Sequence, residues 1–287
     1  MLRITSLRKQ YTPTKIALRD VSLTIGEGVF GLLGPNGAGK SSLMDILSAG
    51  LDFEGGRVVL DDDVDVQRHP REWRRRLGYL PQIFDYPGQT TGREMLAEAA
   101  LLLGLSPRKL ADRFEQLLER ANLTWAADRT CAQYSRGMKQ RLGFILSILH
   151  EPRLLLLDEP TAGLDPVERV FFRELLAEVG RGRIVILSTH IVADVERCCS
   201  NVGVLNHGEV KFLGAPHDLI ARAEGIVWEL PVDPGQFDAL MATRRVVAVT
   251  NRESRAFARY VSADQPHPEA THVSANLEDA YMQLLGE

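Results

Sequence analysis

No apolar run in the 287-residue chain approaches the roughly 18–20 residues needed to cross a bilayer, and Met1-Leu2-Arg3-Ile4 does not begin a signal peptide. Any work at a membrane is therefore expected to rely on another chain for the spanning. Cysteine is scarce. Cys131, Cys198 and Cys199 form no C-x-x-C pair and no even-numbered framework, so neither a zinc site nor a disulfide scaffold is indicated and a reducing, cytosolic setting fits. Excess positive charge is also missing: a net charge of −4 gives nucleic acid no electrostatic reason to be the main partner. Internal repeats and low-complexity tracts are absent. With 45% apolar and 25% charged residues, what is left is an ordinary globular composition, with length for one large domain and a small one.

The most informative stretch is Gly34-Pro35-Asn36-Gly37-Ala38-Gly39-Lys40-Ser41-Ser42, which fits G-x-x-x-x-G-K-[ST] through Gly34, Gly39, Lys40 and Ser41. Val29–Leu33 before it is short and apolar, as a buried strand requires, and Ser42–Leu47 after it reads as a helix. A triphosphate needs many donors converging on it. Side chains must stay clear while backbone N–H groups and a helix N-terminus point inward, which explains the glycines and the small Asn36 and Ser42. Lys40 is expected on the β- and γ-phosphates of ATP, with the Ser41 hydroxyl as a ligand of Mg²⁺.

Ahead of the loop, Leu2–Leu7 and Ile16–Ile25 alternate as strands, with Tyr11 in a polar turn between them, placed to stack on an adenine ring. After it, Gly55-Gly56 and Asp61-Asp62-Asp63 mark turns around the strand Arg57–Leu60. The three acids lack the ordered spacing of a calcium loop and are expected at a charged hairpin tip. Arg68, Arg71, Arg74, Arg75 and Arg76 read as a solvated helix face. From Thr90 to about His150 the period becomes helical, through Met95, Leu96, Ala99, Ala100 and Leu103, a helix start at Ser106-Pro107, then Leu110, Phe114, Leu117, Leu118 and Ala121.

Two further strands end in chemistry. Leu154–Leu157 runs into Asp158 and Glu159, and Ile184–Leu187 runs into Ser188-Thr189-His190. Notable residues at the C-terminal ends of buried strands that alternate with helices indicate an α/β nucleotide-binding sheet. Asp158 is expected to hold Mg²⁺ directly or through water, and Glu159 to orient and deprotonate the attacking water. Val202–Leu205 and Glu209–Leu213 read as a hairpin through Asn206-His207-Gly208.

In order along the chain, Tyr11, the phosphate loop, Gln82 in Tyr79-Leu80-Pro81-Gln82, Ser135-Arg136-Gly137-Met138-Lys139-Gln140-Arg141, Asp158-Glu159-Pro160, Gly163-Leu164-Asp165 and His190 resemble the ATP-binding cassette (ABC) ATPases over about residues 1–215. The resemblance implies a P-loop NTPase core of α/β class, with an antiparallel β subdomain and an α-helical subdomain at about 88–150, in an ATPase domain of residues 1–222. It further implies two subunits paired head to tail around two ATP. Ser135, Arg136, Gly137 and Met138 would then form a signature acting in trans, Ser135 and Gly137 on the γ-phosphate. Gln82 would sense Mg²⁺ and water, His190 would contact the γ-phosphate and Asp165 would couple the two sites.

The signature departs from the family's usual Leu-Ser-Gly-Gly-Gln: Tyr134 replaces Leu, Arg136 the first Gly and Met138 the Gln. Arg136 is expected either to hinder the backbone's approach to ATP or to add a phosphate contact. Residues 223–287 read as a small α+β domain, with strands at Ile226–Leu230, Val246–Val249 and Thr271–Val273 and helices around Phe237, 255–260 and 277–285. From Asp218 onward it carries eleven acidic and six basic residues, so nucleic acid is not expected there. Its end resembles the tail of exporter-type ATPases whose polytopic permease is a separate chain, with residues near Phe84–Gly92 lining the docking groove. That resemblance places the chain peripherally on the cytoplasmic face of the cell membrane. Ribosome-associated or chromosome-maintenance ATPases, and a small P-loop kinase or GTPase, are the rival readings. The single ATPase domain, the lack of a long coiled coil and the lack of Asn-Lys-x-Asp speak against them.

Overall fold

Alternating apolar and polar residues, interrupted by a bulge around Ser6 and Asp20, make β1 (Leu2–Thr12) and β2 (Lys15–Ile25) a ribbon with one buried face, carried by Leu2, Ile4, Leu7, Leu18, Val21, Leu23 and Ile25. The computed structural model describes residues 1–232, 246–252 and 255–286. Tyr11 lies inside β1 rather than in a turn, because the pairing of the two strands runs on to Thr12 opposite Lys15. The continuously apolar β3 (Gly28–Leu33) is buried on both faces and leads through the phosphate loop into α1 (Lys40–Leu47).

The next segment, β4 (Gly55–Leu60), β5 (Val64–Asp65) and α2 (Pro70–Arg75), completes an antiparallel sheet in the order β2-β1-β4-β5. The acids between β4 and β5 are each matched by a cation: Asp61 by the Met1 ammonium and Arg153, Asp62 by Arg3, Asp63 by Arg76. Within the arginine-rich α2, Trp73 is fully buried and its indole N–H donates to the Leu47 carbonyl at the end of α1, 2.7 Å away. The helix face read as solvated is therefore pinned by its one aromatic residue.

Past β6 (Leu77–Leu80) come α3 (Gly92–Leu102), α4 (Ala111–Arg120) and α5 (Arg136–Ser147). A full capping box between Thr91 and Glu94 starts α3, which buries Leu96 and Ala100. Leu103, expected on the buried face, is 40% exposed, and Leu102, the last residue of α3, is more exposed still. Ser106-Pro107 opens a single 3₁₀ turn, Pro107–Leu110, and only then does α4 begin, burying Phe114, Leu117 and Leu118. The chain returns through β7 (Leu154–Asp158), α6 (Pro166–Val179), β8 (Ile184–Thr189), α7 (Val192–Cys198), β9 (Asn201–Asn206) and β10 (Glu209–Gly214).

The central sheet runs β10-β9-β3-β8-β7-β6. Its strands β9, β3, β8, β7 and β6 are mutually parallel. Register places Leu33 opposite Thr189 and Ser188 opposite Asp158, so three chemically loaded loops leave the same edge within two strand spacings, roughly 10 Å. This is the crevice at the carboxyl ends of parallel strands where α/β folds bind ligands.

The chain divides into two units, Met1–Val210 and Lys211–Glu287, with the division inside β10 rather than at residue 222. The second unit holds α8 (Pro216–Ala221), a sheet in the order β12-β13-β11-β14, formed by β11 (Val227–Val232), β12 (Val246–Arg252), β13 (Arg255–Val261) and β14 (Thr271–His272), and α9 (Leu277–Gly286). Residues 255–260, read from sequence as helix, are strand. Their two alanines favour helix locally, but antiparallel pairing on both sides and burial of Ala258 and Tyr260 on one face override that preference. The helix expected around Phe237 lies outside the described residues. Asp279, fully buried, is held by Arg259 at 2.6–2.9 Å and fastens α9 to β13.

Candidate ATP-binding and hydrolysis site

The phosphate loop is shaped by close approaches that only glycine permits. A Cβ on Gly34 would overlap the Leu205 carbonyl, and one on Gly39, whose φ is +107°, would overlap the Ala17 carbonyl. Gly37 (φ +80°) faces open space. Because Gly39 has no side chain, α1 starts without a side-chain cap, leaving its first N–H groups unclaimed. The buried Lys40 bends back so that Nζ donates to the Gly34 carbonyl at 2.5 Å and the Pro35 carbonyl at 3.2 Å. Burial pulls its pKa below the ordinary lysine value, against the opposing pull of Glu159 and Asp158.

A cleft of 470 Å³ opens over this loop. Asn36, Gly37, Gly39, Lys40, Ser41 and Ser42 line it on one side. Asp158, Glu159, His190 and Gln82 line the other, and Tyr11 stands at its margin. Tyr11 Oη lies 3.1 Å from Ser42 Oγ, and Lys9 and Lys15 sit beside its ring at 5.4 and 5.5 Å. Sequence reading missed Lys15, Ile16 and Ala17, which also line the cleft. Nothing in the sequence marks them, because the contact of Gly39 with the Ala17 carbonyl exists only in the fold.

Asp158 and Glu159 are both 9% exposed. Burial pushes the Asp158 carboxyl above its ordinary pKa, and the neighbouring Glu159 charge adds to this. Glu159 adopts φ +48°, a left-handed backbone that a non-glycine residue rarely keeps without a reason. Its Oε1 accepts from His190 Nδ1 at 2.9 Å, while its Oε2, buried, has no protein partner. An acidic oxygen with nothing to accept from, in a cleft with a lysine across it, can take a proton from a small molecule held there. A network missed in the sequence supports both loops: the buried Asp194 accepts from Thr161 Oγ1 at 2.5 Å and from Arg173 at 2.5 and 3.1 Å, tying the segment after Glu159 to the helix after His190.

The remaining expected residues are not in this cleft. Ser135 caps α5, its hydroxyl accepting from the Met138 N–H at 3.2 Å; Met138 and Gly137 are buried and Arg136 is exposed. Asp165 caps α6 by accepting from the Glu168 N–H at 2.8 Å. Along the segment expected to dock a permease, Tyr86 turns inward and donates to the Lys139 carbonyl of α5 at 3.3 Å and Asp85 pairs with Lys139 at 2.9 Å, while Pro87, Gly88 and Gln89 are exposed, as is Ile83 just before the segment.

Residues 18–162 match the sequence model of the family described as ABC transporter. The chain is 36% identical over 233 residues to the protein named uncharacterized ABC transporter ATP-binding protein YxlF of Bacillus subtilis, covering 81% of this chain and 77% of that one. To the Nod factor export ATP-binding protein I of Cupriavidus pinatubonensis it is 32% identical, covering 100% and 91%. Among solved structures, one described as the ATP-binding subunit of an ABC transporter superposes with a TM-score of 0.70 at 30% identity, over 77% of this chain and 92% of that one.

Proposed function

This chain belongs to the ABC transporter family as an ATP-binding, ATP-hydrolysing subunit, and from that premise we propose that it works as a head-to-tail pair of copies driving a separate membrane permease in export. Among the described residues no helix is long and apolar enough to cross a membrane, which is consistent with a peripheral seat on the cytoplasmic face through such a permease. The observation that carries the reading is a division of labour. One cleft gathers Lys40, Ser41, Asp158, Glu159 and His190, while Ser135 and Gly137 sit at another helix start outside it. A signature that does not reach its own chain's cleft can serve that of a second copy.

In this reading the N–H groups of residues 37–41 and the unclaimed first turn of α1 receive the phosphates of ATP, and Lys40 exchanges the Gly34 and Pro35 carbonyls for phosphate oxygens. Ser41, Gln82 and Asp158 offer only oxygen donors around one cleft, the preference of Mg²⁺, and Asp158 is a buried carboxylate in want of a counter-charge, so the set fits that ion. When bound, Mg²⁺ neutralises charge on the β- and γ-phosphates. Tyr11 stacks on the base, with Lys9 and Lys15 holding the ring's surroundings positive. Glu159 Oε2 takes the proton of the attacking water. Oε1 orients His190 through Nδ1, leaving Nε2 to face the terminal phosphate. Ser135, Arg136, Gly137 and Met138 face the partner's nucleotide, and Asp165 couples the two sites.

Glu159→Gln keeps the shape and removes the base. ATP hydrolysis should fall by about 10²–10⁴-fold with nucleotide binding retained. An ATP-bound dimer should accumulate, read by phosphate release and by size-exclusion light scattering. Turnover at the wild-type rate would remove Glu159 from the role.

A further inference from the structure

Arg136 replaces a small residue in the signature, and its side chain turns back on its own chain. Its Nη2 donates to the Ala162 carbonyl at 2.8 Å. The guanidinium lies across Gly163, which has φ +71° and where any Cβ would overlap it. Ala162 in turn donates its N–H to the Glu159 carbonyl at 3.1 Å. A second stitch runs alongside. The Glu168 carboxylate packs over Gly137, pairs with Arg141 at 3.3 Å, and belongs to the residue whose N–H is held by Asp165. The start of α5 is thus joined to the loop 161–165 by Arg136 and, alongside, α5 is joined to the first turn of α6 by Glu168; the Arg136 joint is two hydrogen bonds from the backbone of Glu159.

We propose that Arg136 is a positioning residue for the chain's own Glu159: it ties the signature to the 161–165 loop, so that a partner's ATP arriving at Ser135–Gly137 sets the base in the cleft of the same chain. The inference rests on the paired-copy reading above. It departs from the two roles the sequence suggested, since an obstruction or a phosphate contact would act on the partner's ATP and this contact acts on the chain's own site. A guanidinium suits the task, because its fork can hold a carbonyl while its flat face covers a glycine Cα.

Mixed dimers of the full-length chain, made by co-expressing two differently tagged copies, separate these roles. In the first arrangement one copy carries Arg136→Ala and the other Glu159→Gln, so the remaining hydrolysis uses the Glu159 of the Arg136→Ala copy. In the second, both substitutions lie on one copy, and hydrolysis uses the Glu159 of the unaltered copy facing the altered signature. Turnover in the first arrangement should be lower than in the second by about fivefold or more, the size of a modest coupling. Arg136→Lys, which keeps the charge without the fork, should restore only part of it. Equal turnover in the two arrangements, or a lower rate in the second, overturns the inference. Glu159→Gln against wild type is the control for the underlying reading: full turnover with both copies Glu159→Gln would sink that reading, and failure of the two copies to associate would sink the dimer and this inference with it.

Discussion

Two helices begin at the segments the sequence singles out, and they begin differently. α1 follows Gly39, has no side-chain cap, and starts with the buried Lys40. α5 follows Ser135, whose hydroxyl already holds the Met138 N–H, and starts with the exposed Arg136 tied to Ala162. Both ends concentrate N–H groups and the positive end of a helix dipole, and they differ in that α5 has one of its N–H groups, that of Met138, held by a side chain while α1 has none so held. An anion meets α1 without displacing anything except two carbonyls from Lys40. At α5 one of the N–H groups already has a side-chain acceptor. The difference separates the two ends: the α1 start is open to an anion over the cleft, whereas at the α5 start one N–H is already held by Ser135 and the Arg136 side chain is engaged with Ala162.

That contrast can be broken or sharpened. The largest effect should come from Lys40→Ala, which removes the one buried cation at the α1 end and should weaken ATP binding by about 100-fold, as losing a charge-assisted contact does. A fluorescent-nucleotide titration checks it, and an equal loss for Arg136→Ala would erase the distinction between the two ends. The same lysine supplies a pH test. Burial lowers its pKa in the free protein, and phosphates bound beside it favour the ammonium. ATP binding should therefore take up protons increasingly as pH rises from neutrality toward the ordinary lysine value. Calorimetry in buffers of different ionisation enthalpy reads this directly, and Lys40→Ala should abolish the uptake.

Next in size is a pair of glycines. Gly39→Ala forces a side chain into a left-handed backbone and against the fixed Ala17 carbonyl, and should cost about 2 kcal/mol of stability in urea unfolding. Gly137→Ala meets only the end of the Glu168 side chain and should cost less than half of that. Reversal of this ranking would mean that the α5 start is the more rigid of the two. The smallest effect belongs to Ser135→Ala, about 1 kcal/mol for a lost cap. Ser135→Asp should keep that stability while lowering turnover, because it puts a fixed negative charge where a partner's phosphate is to come.

The α1 end was legible because its chemistry is local: nine consecutive residues carry the loop, the helix start and the cation, and glycine's backbone freedom leaves a direct trace in sequence. Asp158, Glu159 and His190 were legible for a related reason, each following an apolar strand too regular to be anything else. The α5 end was legible only by resemblance, and its contacts not at all. Arg136 finds Ala162 and Arg141 finds Glu168 across more than twenty residues, with nothing in the intervening sequence to announce the meeting. In the second unit, residues 255–261 misled because alanine and arginine favour helix in isolation, and only pairing with β11 and β12 makes the segment a strand. Tyr11 was misplaced by the length of a hairpin, a tertiary quantity, although its neighbourhood with Ser42 follows from either placement.

The bond from Trp73 to the last carbonyl of α1 has an optical consequence. The chain holds three indoles in three settings: Trp73 sealed in the interior, Trp125 largely in water beneath the Arg129 guanidinium, and Trp228 buried in the second unit. Excited-state emission depends on the field along the ring's N–H, and for Trp73 that N–H is fixed to the far end of the helix whose near end faces the cleft. Any tightening of that helix around a bound molecule changes the colour or yield of one buried lamp. A protein keeping only Trp73, with the other two exchanged for phenylalanine, would report occupancy of the cleft in its own light, in real time and with no attached dye.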